Sequence, residues 1–210
     1  LQRNDTILLQ RVFRAWGLTP ELTSALVDGL KDWVDPDDHT SLNGAEERDY
    51  QKLGLDGMPF NRPFSQVDDM LLVRGMGVLE QARPDWREWF TVFGNGMIDV
   101  NDARPELIAL IGEVPMERVG PLLTFRAGPD GVRHTDDDGR LNSVPQFAQM
   151  LGIFQPSIVE RLTTWIQFSG PIRRIESTGF MGGVRRRLVL ITQSDAALWR
   201  GEIPAHGPQT

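Results

Sequence analysis

The 210-residue sequence contains no cysteine, which excludes disulfide bonds and thiolate metal sites. This absence leaves the cellular compartment open, because many exported proteins also lack cysteine. No segment approaches the run of about 18 apolar residues that a membrane-spanning helix needs, and no signal-peptide pattern is visible. The chain starts at Leu1 rather than at a methionine. We therefore expect a soluble fragment or processed piece of a longer protein.

Positive charge is also scarce. The chain has 22 lysines and arginines against 29 acidic residues, a net charge of −7 and a pI near 5.0. Nucleic-acid binding relies on a concentrated positive surface, so this balance disfavours it. No G-x-S-x-G, P-loop or H-E-x-x-H pattern is present, and the three histidines are scattered. The sequence makes no positive case for catalysis, and we expect a protein that is not an enzyme.

Residues 1–168, four fifths of the chain, have the pattern of short helices separated by glycine and proline. The clearest helix start is Thr19 followed by Pro20, an N-cap residue and a residue suited to the first helical position. Three later segments combine a polar cap, an apolar stripe and a final glycine. Their predicted caps and ends are Ser65 to Gly75, Asn101 to Gly112 and Ser143 to Gly152. Helices this short are marginal alone, so they must share a core.

The amino-acid composition changes after Phe168, where β-branched residues and arginines become frequent. The sequence predicts two strands, 171–180 and 184–193, joined by a tight Gly182-Gly183 turn. We expect Leu188, Leu190 and Val184 to face a core, and the tail from residue 201 to be frayed. A second, smaller hairpin is predicted in "EWFTVFGNGMIDV", residues 88–100. A lone ribbon is barely stable in water, so the 171–193 hairpin needs further strands or a helix.

The stretch "GPDGVRHTDDDGRL", residues 128–141, crowds aspartates and glycines between two apolar segments. Calcium prefers oxygen ligands in a flexible loop that has glycine for its sharp turns. The candidate ligands are Asp130, Asp136, Asp137 and Asp138. Their spacing does not meet the EF-hand pattern, so a calcium loop of another kind, a basic partner and a solvated acidic turn all stay open.

Another acidic cluster lies earlier in the chain, in "DWVDPDDHTSLNGAEERDY", residues 32–50. Its candidate ligands are Asp35, Asp37, Asp38 and Glu46. The aspartates follow a predicted helix, and acidic charge at a helix C-terminus opposes the macrodipole unless a cation or basic group compensates it. Calcium and an uncompensated acidic turn are the two interpretations, and oxygen-rich surroundings favour calcium over zinc.

The glycine endings "VRGMG" and "ALIGE" are typical of helix-hairpin-helix elements, whose backbone amides can hold a DNA phosphate. Only Arg74 lies near the first, and Glu113 follows the second. Helix pairs used for packing are the simpler interpretation. A helix-hairpin-helix DNA-binding module is the alternative function, and a calcium-dependent hydrolase is a third without an identifiable nucleophile or acid/base pair.

Four segments together resemble the K-type minor pseudopilin family of the bacterial type II secretion system (general secretion pathway protein K). They are "DWVDPDD", "NGAEERDY", "NRPFSQVDDMLLVRGM" and "IDVNDARPELIALI", in that order and at matching spacing. The likeness runs from about Leu8 to the terminal hairpin. One departure is "IDVND" where the family usually has "INVNTA", which alters the cap of the following helix.

The resemblance implies an α+β fold, with a small pilin-like antiparallel sheet that carries a large inserted α-helical domain of SAM-like or helix-hairpin-helix-like helices. Residues 1–168 would be the insert and residues 169–210 the C-terminal strands of the pilin-like domain. The family's N-terminal anchor helix and first strand lie outside this chain. That helix would hold the protein in the inner membrane, with the soluble domain in the periplasm.

The resemblance also implies a role, partners and a ligand. The family is thought to sit at the tip of the periplasmic pseudopilus with the I- and J-type minor pseudopilins and further pseudopilins below. There it would initiate or cap assembly without enzymatic activity. Family members bind calcium in the helical domain. We carry calcium binding to the neighbourhood of Asp35, Asp37, Asp38 and Glu46, whereas the assignment to Asp130–Asp138 rests more on loop chemistry.

Overall fold

The computed structural model describes residues 6–194 and 196–203. The chain divides into two compact units on either side of the Phe168–Ser169 bond. This is where the composition of the sequence changes. In the described ranges, no helix is long and apolar enough to cross a membrane. A helical unit followed by a small antiparallel sheet confirms the α+β class, while the pilin-like and SAM-like assignments of the two parts stay predictions.

Eight short α-helices and four 3-10 helices make up the described part of the first unit. The α-helices are α1 (Thr6–Ala15), α2 (Pro20–Val34), α3 (Glu47–Lys52), α4 (Leu79–Ala82), α5 (Pro105–Gly112), α6 (Gly120–Arg126), α7 (Val144–Leu151) and α8 (Pro156–Trp165). The 3-10 helices are Val67–Leu72, Met76–Val78, Trp86–Trp89 and Met116–Arg118.

The helices of the first unit enclose two apolar clusters rather than one. The first cluster gathers α1, α2 and the segments up to residue 90 around fully buried side chains such as Phe13, Leu30, Trp33 and Trp86. The second gathers α5 to α8 around side chains such as Ile108, Ile111, Phe147 and Leu162. Leu8 and Leu107 pack against both clusters. Short helices that are marginal alone are therefore stabilised by shared burial.

Two of the predicted helix caps are confirmed. The Thr19 hydroxyl accepts a hydrogen bond from the Leu22 amide at 3.3 Å, with Pro20 as the first residue of α2. The Ser143 hydroxyl accepts from the Gln146 amide at 3.4 Å at the start of α7. Gly152 ends that helix with φ of 66°, a left-handed conformation that glycine adopts without steric cost.

The other two predicted caps are wrong. Ser65 precedes a 3-10 helix whose first turn is closed by the Gln66 and Asp69 side chains. Asn101 lies three residues before Arg104, the residue that flanks the start of α5, and does not cap it. The Asn101 side-chain amide is buried and forms hydrogen bonds with main-chain groups of Leu141 and Phe168 instead. The reason is that a polar residue before an apolar stripe can bond either to the next turn or to distant backbone, and sequence spacing does not distinguish the two.

The predicted hairpin at residues 88–100 is also wrong. Strand β1 (Ile98–Asp99) pairs in parallel with β2 (Ile166–Gln167), far along the chain. Asn95 joins the same contact, because its amide donates to the Gln167 side-chain oxygen at 3.0 Å. Trp86–Trp89 forms a 3-10 helix where the first hairpin strand would begin. The Gly-Asn-Gly turn therefore serves a long-range pairing instead of a local one.

The second unit is a three-stranded antiparallel sheet in the order β3 (Ile172–Met181), β4 (Val184–Gln193) and β5 (Ala196–Ile203). The predicted hairpin and its two-glycine turn are confirmed, with strand bounds within one residue. Gly182 and Gly183 have φ of 54° and 81°, the positive values that this tight turn needs. Strand β5 supplies the additional strand that the lone ribbon required. The tail was predicted to be frayed from residue 201, which is wrong for residues 201–203 because they belong to β5, and residues 204–210 lie outside the described part.

The predicted core face of the hairpin is wrong. Val189 is fully buried and Ile191 nearly so, whereas Leu188 and Val184 are exposed and Leu190 is partly buried. Val189 and Ile191 lie opposite Gly201 and Trp199 of β5. The Trp199 ring covers Gly201, so closely that a Cβ there would lie 2.3 Å from a ring carbon. The Trp199 ring therefore covers the face of the sheet that carries Val189 and Ile191. The sequence prediction chose the other face because it did not include β5.

Candidate metal site in the acidic loops

Asp28 and Asp32 lie four residues apart on one face of α2, and Asp35 follows as the extended C-cap residue of that helix. The fully buried Asp32 carboxylate accepts from the Ser41 amide, at 3.2 and 3.0 Å to its two oxygens. Asp28 accepts from both the main-chain and side-chain amides of Asn43, at 3.1 and 3.0 Å. Two helix carboxylates therefore fold the loop that follows α2 back onto the helix.

Gly44 allows this close approach. A Cβ at this position would lie 1.8 Å from an Asp32 carboxylate oxygen, so any side chain would displace the carboxylate. The Arg74 guanidinium donates to the Gly44 carbonyl at 2.6 Å and to the Asn43 carbonyl at 3.2 Å. The Tyr50 hydroxyl accepts from the Arg74 amide at 3.1 Å. The "NGAE" segment before α3 is thus bound by the Arg74 guanidinium at its carbonyls and by the Asp28 carboxylate at Asn43.

Glu46 is the most unusual carboxylate of the loop. Its residue is only 4% exposed, and neither carboxylate oxygen has a hydrogen-bond partner in the described part of the chain. Burial above all, together with the negative charges of Asp32, Asp35, Asp38 and Asp37, raises the pKa of Glu46 from 4.5 to about 7. A buried carboxylate with neither a proton nor a cation is costly, because its lost hydration is not replaced.

Asp35 and Asn61 add further oxygens that lack a donor. One buried carboxylate oxygen of Asp35 has no partner among the described residues, and burial, with the charges of Asp37 and Asp32, raises its pKa. The Asn61 amide nitrogen donates to Asp38 Oδ1 at 3.1 Å, while its side-chain oxygen is buried without a donor. Asn61 also has φ of 46°, a strained value for a residue other than glycine.

Asp37 is the exception in this loop. Its carboxylate accepts from the His39 amide at 2.8 Å and lies 2.9 Å from the His39 ring nitrogen. These contacts lower the pKa of Asp37. His39 therefore supplies hydrogen bonds to the Asp37 carboxylate, whereas Asp35 and Glu46 keep carboxylate oxygens without a donor among the described residues.

The region from Asp28 to Asn61, which we call the first acidic loop, contains four buried oxygens without donors among the described residues, two from Glu46 and one each from Asp35 and Asn61. All are carboxylate or amide oxygens, the ligand type that calcium prefers. Across residues 6–194 and 196–203, no three acidic or histidine side chains are grouped closely enough to hold a metal ion by themselves. A cation here would need amide or main-chain oxygens beside the carboxylates. The donor set fits a hard, oxygen-seeking cation.

The second acidic loop is organised differently, because its carboxylates already have partners. Asp130 accepts from the Val132 amide at 2.7 Å, and Asp137 accepts from the Asp130 amide at 3.1 Å and the Thr135 hydroxyl at 2.6 Å. Asp138 accepts from the His134 amide at 2.9 Å. The Thr135 contact lowers the pKa of Asp137, and the His134 contact lowers that of Asp138. These bonds stabilise the charged form of the carboxylates.

Arg133 supplies the positive charge of this loop. Its guanidinium donates to Asp138 at 3.1 Å, to Asp102 at 3.3 Å and to the main-chain carbonyl of Asn101 at 2.7 Å. Asp136 is exposed on the loop surface. The loop therefore folds around an internal arginine and its own amides. Calcium binding at Asp130, Asp136, Asp137 and Asp138 stays a prediction, but these contacts do not require a cation.

Asn101 connects this loop to the rest of the second core. Its amide nitrogen donates to the carbonyls of Leu141 and Phe168 at 3.0 and 2.8 Å, and its oxygen accepts from the Leu141 amide at 2.8 Å. One buried side chain therefore satisfies three main-chain groups that are distant in sequence, which is why it is buried instead of capping a helix.

Sequence reasoning missed Asp32 and Asn61 in the first loop and Arg133 in the second. The spacing of Asp28, Asp32 and Asp35 was a usable signal, because like charges on successive turns repel one another unless other groups compensate them. Asn61 gave no such signal, since it lies 23 residues after its partner Asp38. Its role depends on a contact between distant loops.

The structure defines the class as an α+β protein in which a helical unit with acidic loops precedes a small antiparallel sheet. The fold is similar to the crystal structure of the GspK–GspI–GspJ complex from the enterotoxigenic Escherichia coli Type 2 Secretion System. The match has a TM-score of 0.67 at 12% identity and covers 94% of this chain and 69% of the matched chain. At this identity the similarity shows the fold. A comparison with curated proteins finds no significant match.

The sequence also matches a family model over residues 2–84, that of protein K of the type II secretion system. This match and the shared fold confirm the resemblance to the protein K family that was recognised in the sequence. The matched range contains the whole first acidic loop, from Asp28 to Asn61, and ends before the second.

Proposed function

We propose that this protein is a minor pseudopilin of the type II secretion system, with a structural and non-enzymatic role at the tip of the pseudopilus. The observation that carries this proposal is the coincidence of two independent matches. Residues 2–84 match the protein K family, and nearly the whole chain shares the fold found in a GspK–GspI–GspJ complex. The β3–β5 sheet would belong to a pilin-like domain, and the helical unit would be its insert.

The proposed partners are the I- and J-type minor pseudopilins, with further pseudopilins below them. The soluble part would lie in the periplasm, and a helix outside this chain would anchor the protein in the inner membrane. The helical unit would add bulk at the tip, so that assembly begins with this subunit and further growth above it is blocked. The face of the sheet that carries Ile175 and Leu188 suits packing in such an assembly, since both side chains are exposed.

Assembly can be tested by mixing this chain with the soluble domains of an I-type and a J-type pseudopilin and measuring the mass by light scattering. We expect a 1:1:1 complex from the three proteins, and incomplete assemblies from the pairs. A chain that stays monomeric with both partners would overturn the proposed role. An Ile175→Ser/Leu188→Ser variant tests the sheet face, and Phe154→Ser, which removes an exposed side chain from the helical unit, is its control.

We further propose that calcium binds the first acidic loop and stabilises it. Glu46, Asp35 and the Asn61 side-chain oxygen would contribute ligands, because their buried carboxylate and amide oxygens have no donor among the described residues. The cation would supply the positive charge that the loop lacks, in the way that Arg133 supplies it to the second loop. Its role would be structural: it would hold the 35–46 segment and the Asn61 loop together.

Thermal unfolding with calcium, with magnesium and with a chelator tests this site. A ligand that binds only the folded state stabilises it by RT ln(1 + [L]/Kd), about 2.7 kcal/mol at a hundredfold excess over Kd. We expect a calcium-specific rise in melting temperature that Asp35→Asn abolishes. Asp137→Asn in the second loop is the matched control and should leave the calcium effect intact. The opposite pattern would place calcium in the second loop, and no shift would remove the ion altogether.

The helix-hairpin-helix DNA-binding alternative gains no support from the contacts. The Arg74 guanidinium, the cation beside Gly75, donates to the Asn43 and Gly44 carbonyls and so serves the first acidic loop. Salt-dependent binding to duplex DNA that is lost in Arg74→Gln would revive this alternative.

A further inference from the structure

The tip of the β3–β4 hairpin exposes a group of large apolar side chains. Phe180 is 73% exposed, Met181 84% and Val184 57%, and they surround the Gly182-Gly183 turn. The described part of β5 pairs with β4 only from Arg187 to Gln193. In the described residues the tip is therefore a two-stranded ribbon. Exposed apolar groups at the end of a ribbon cost solvation free energy and indicate a contact.

The apolar side chains lie on both faces of the ribbon. Met181 pairs with Val184 across the strands, so these two share one face, whereas Phe180 pairs with Arg185 and projects from the other. A flat protein partner would bury only one face of a ribbon. A medium that surrounds the tip buries both, and the interface of a lipid bilayer is such a medium.

Arginines follow the apolar tip on both faces. Arg185 stacks its guanidinium 5.4 Å from the Phe180 ring centroid, and Arg186 lies on the face of Met181. From Ser169 to Thr210 the sequence has six arginines, no lysine and three acidic residues, although the whole chain carries −7. Arg186 pairs with Glu202 at 3.1 Å, but both side chains are exposed, and such a surface pair exchanges readily for another anion.

We propose that the β3–β4 hairpin tip is a membrane-contact site that inserts Phe180, Met181 and Val184 into the interface of a bilayer and binds anionic phospholipid headgroups through Arg185 and Arg186. The apolar side chains lie at the turn and the arginines directly behind them. This order matches the passage from acyl chains to phosphates at a bilayer surface. The proposal rests on the hairpin alone and does not depend on the proposed role in secretion.

The absence of cysteine permits a direct test. Met181→Cys introduces a single thiol into this chain for an environment-sensitive dye, and Gln149→Cys, at an exposed position of α7, is the control label. With vesicles of equimolar phosphatidylglycerol and phosphatidylcholine we expect a blue shift of the dye at position 181 and none at position 149. Phosphatidylcholine vesicles alone, or high salt, should reduce the shift, because the attraction is electrostatic.

Co-sedimentation with the same vesicles separates the two components of binding. Arg185→Gln/Arg186→Gln should lower the partition coefficient roughly 25-fold, about fivefold for each arginine. Phe180→Ser/Met181→Ser should lower it as well. The controls Phe154→Ser and Arg14→Gln remove an exposed phenylalanine and an exposed arginine from the helical unit and should bind like the wild type.

Three results would overturn the proposal. One is the absence of binding to anionic vesicles, and another is equal binding by the tip variants and the wild type. The third is a self-association in sedimentation velocity, without vesicles, that the tip substitutions abolish, because this would assign the apolar tip to a second copy of the chain. The tip residues are exposed, so these variants should keep the wild-type melting temperature.

Discussion

Replacing Glu46 with glutamine should stabilise the calcium-free protein at alkaline pH and destabilise the calcium-bound protein relative to the wild type. The residue is 4% exposed and its carboxylate lacks a hydrogen-bond donor among the described residues. Its pKa in the fold is raised from 4.5 to about 7. The folded state therefore prefers the protonated acid. The contribution of Glu46 to stability is complete below pH 4.5, declines between pH 4.5 and 7, and is lost above pH 7.

The magnitude follows from these two pKa values. At about 1.4 kcal/mol for each pH unit, the difference between 4.5 and about 7 corresponds to about 3 kcal/mol. Glutamine is neutral at every pH and has nearly the same shape, so in chelator at pH 8 the variant should be more stable by up to that amount. For a chain of this size we expect a melting temperature higher by roughly 6–12 °C. Near pH 4 the difference should close, because the wild-type carboxyl is then protonated too.

The assay is urea unfolding of wild type and variant from pH 4 to 8, in chelator and in calcium, with the difference in free energy of unfolding plotted against pH. Glu47→Gln is the matched control, since it changes an exposed carboxylate one residue away. Calcium should reverse the order at pH 8, because the variant lacks a charged ligand. A variant that is less stable than the wild type in chelator at pH 8 would refute the buried, uncompensated carboxylate. A calcium effect of equal size in both proteins would remove Glu46 from the metal site.

Three further substitutions test individual contacts, two beside the acidic loops and one at the start of α2. Asn101→Ala should lower the free energy of unfolding by about 3 kcal/mol, because it leaves three main-chain groups in or near the core without a hydrogen-bond partner. Urea unfolding measures this loss. A loss below about 1 kcal/mol would show that the Asn101 side chain does not make these three hydrogen bonds in solution. Gly44→Ala should cost about 2 kcal/mol, since its Cβ would overlap the Asp32 carboxylate, whereas Gly77→Ala, with open space around it, should be nearly neutral in the same experiment. Thr19→Ala should cost about 1 kcal/mol through the lost N-cap of α2, and an unchanged melting temperature would show that the hydroxyl does not cap the helix in solution.

Local chemistry explains what could be predicted from the sequence. The N-cap of α2, the left-handed end of α7 and the two-glycine turn each depend on residues within a few positions of one another. The boundary near Phe168 and the family resemblance also follow from residue order alone. In the first loop, Asp35 and Glu46 were candidate ligands from the sequence, and the structure shows buried oxygens without donors on both among the described residues. Each of these features can be read from neighbouring residues or from residue order, without knowledge of contacts between distant residues.

Tertiary structure decided the remaining features, because they depend on contacts between distant residues. The parallel pairing of β1 with β2 needs a closure of more than 60 residues, and no local pattern predicts it. The buried face of the β3–β4 hairpin depends on Trp199 in a later strand. The two acidic loops look alike as sequences, yet Arg133 neutralises one and Glu46 stays uncompensated in the other. Desolvation and the position of one arginine make that difference, and both are properties of the folded chain.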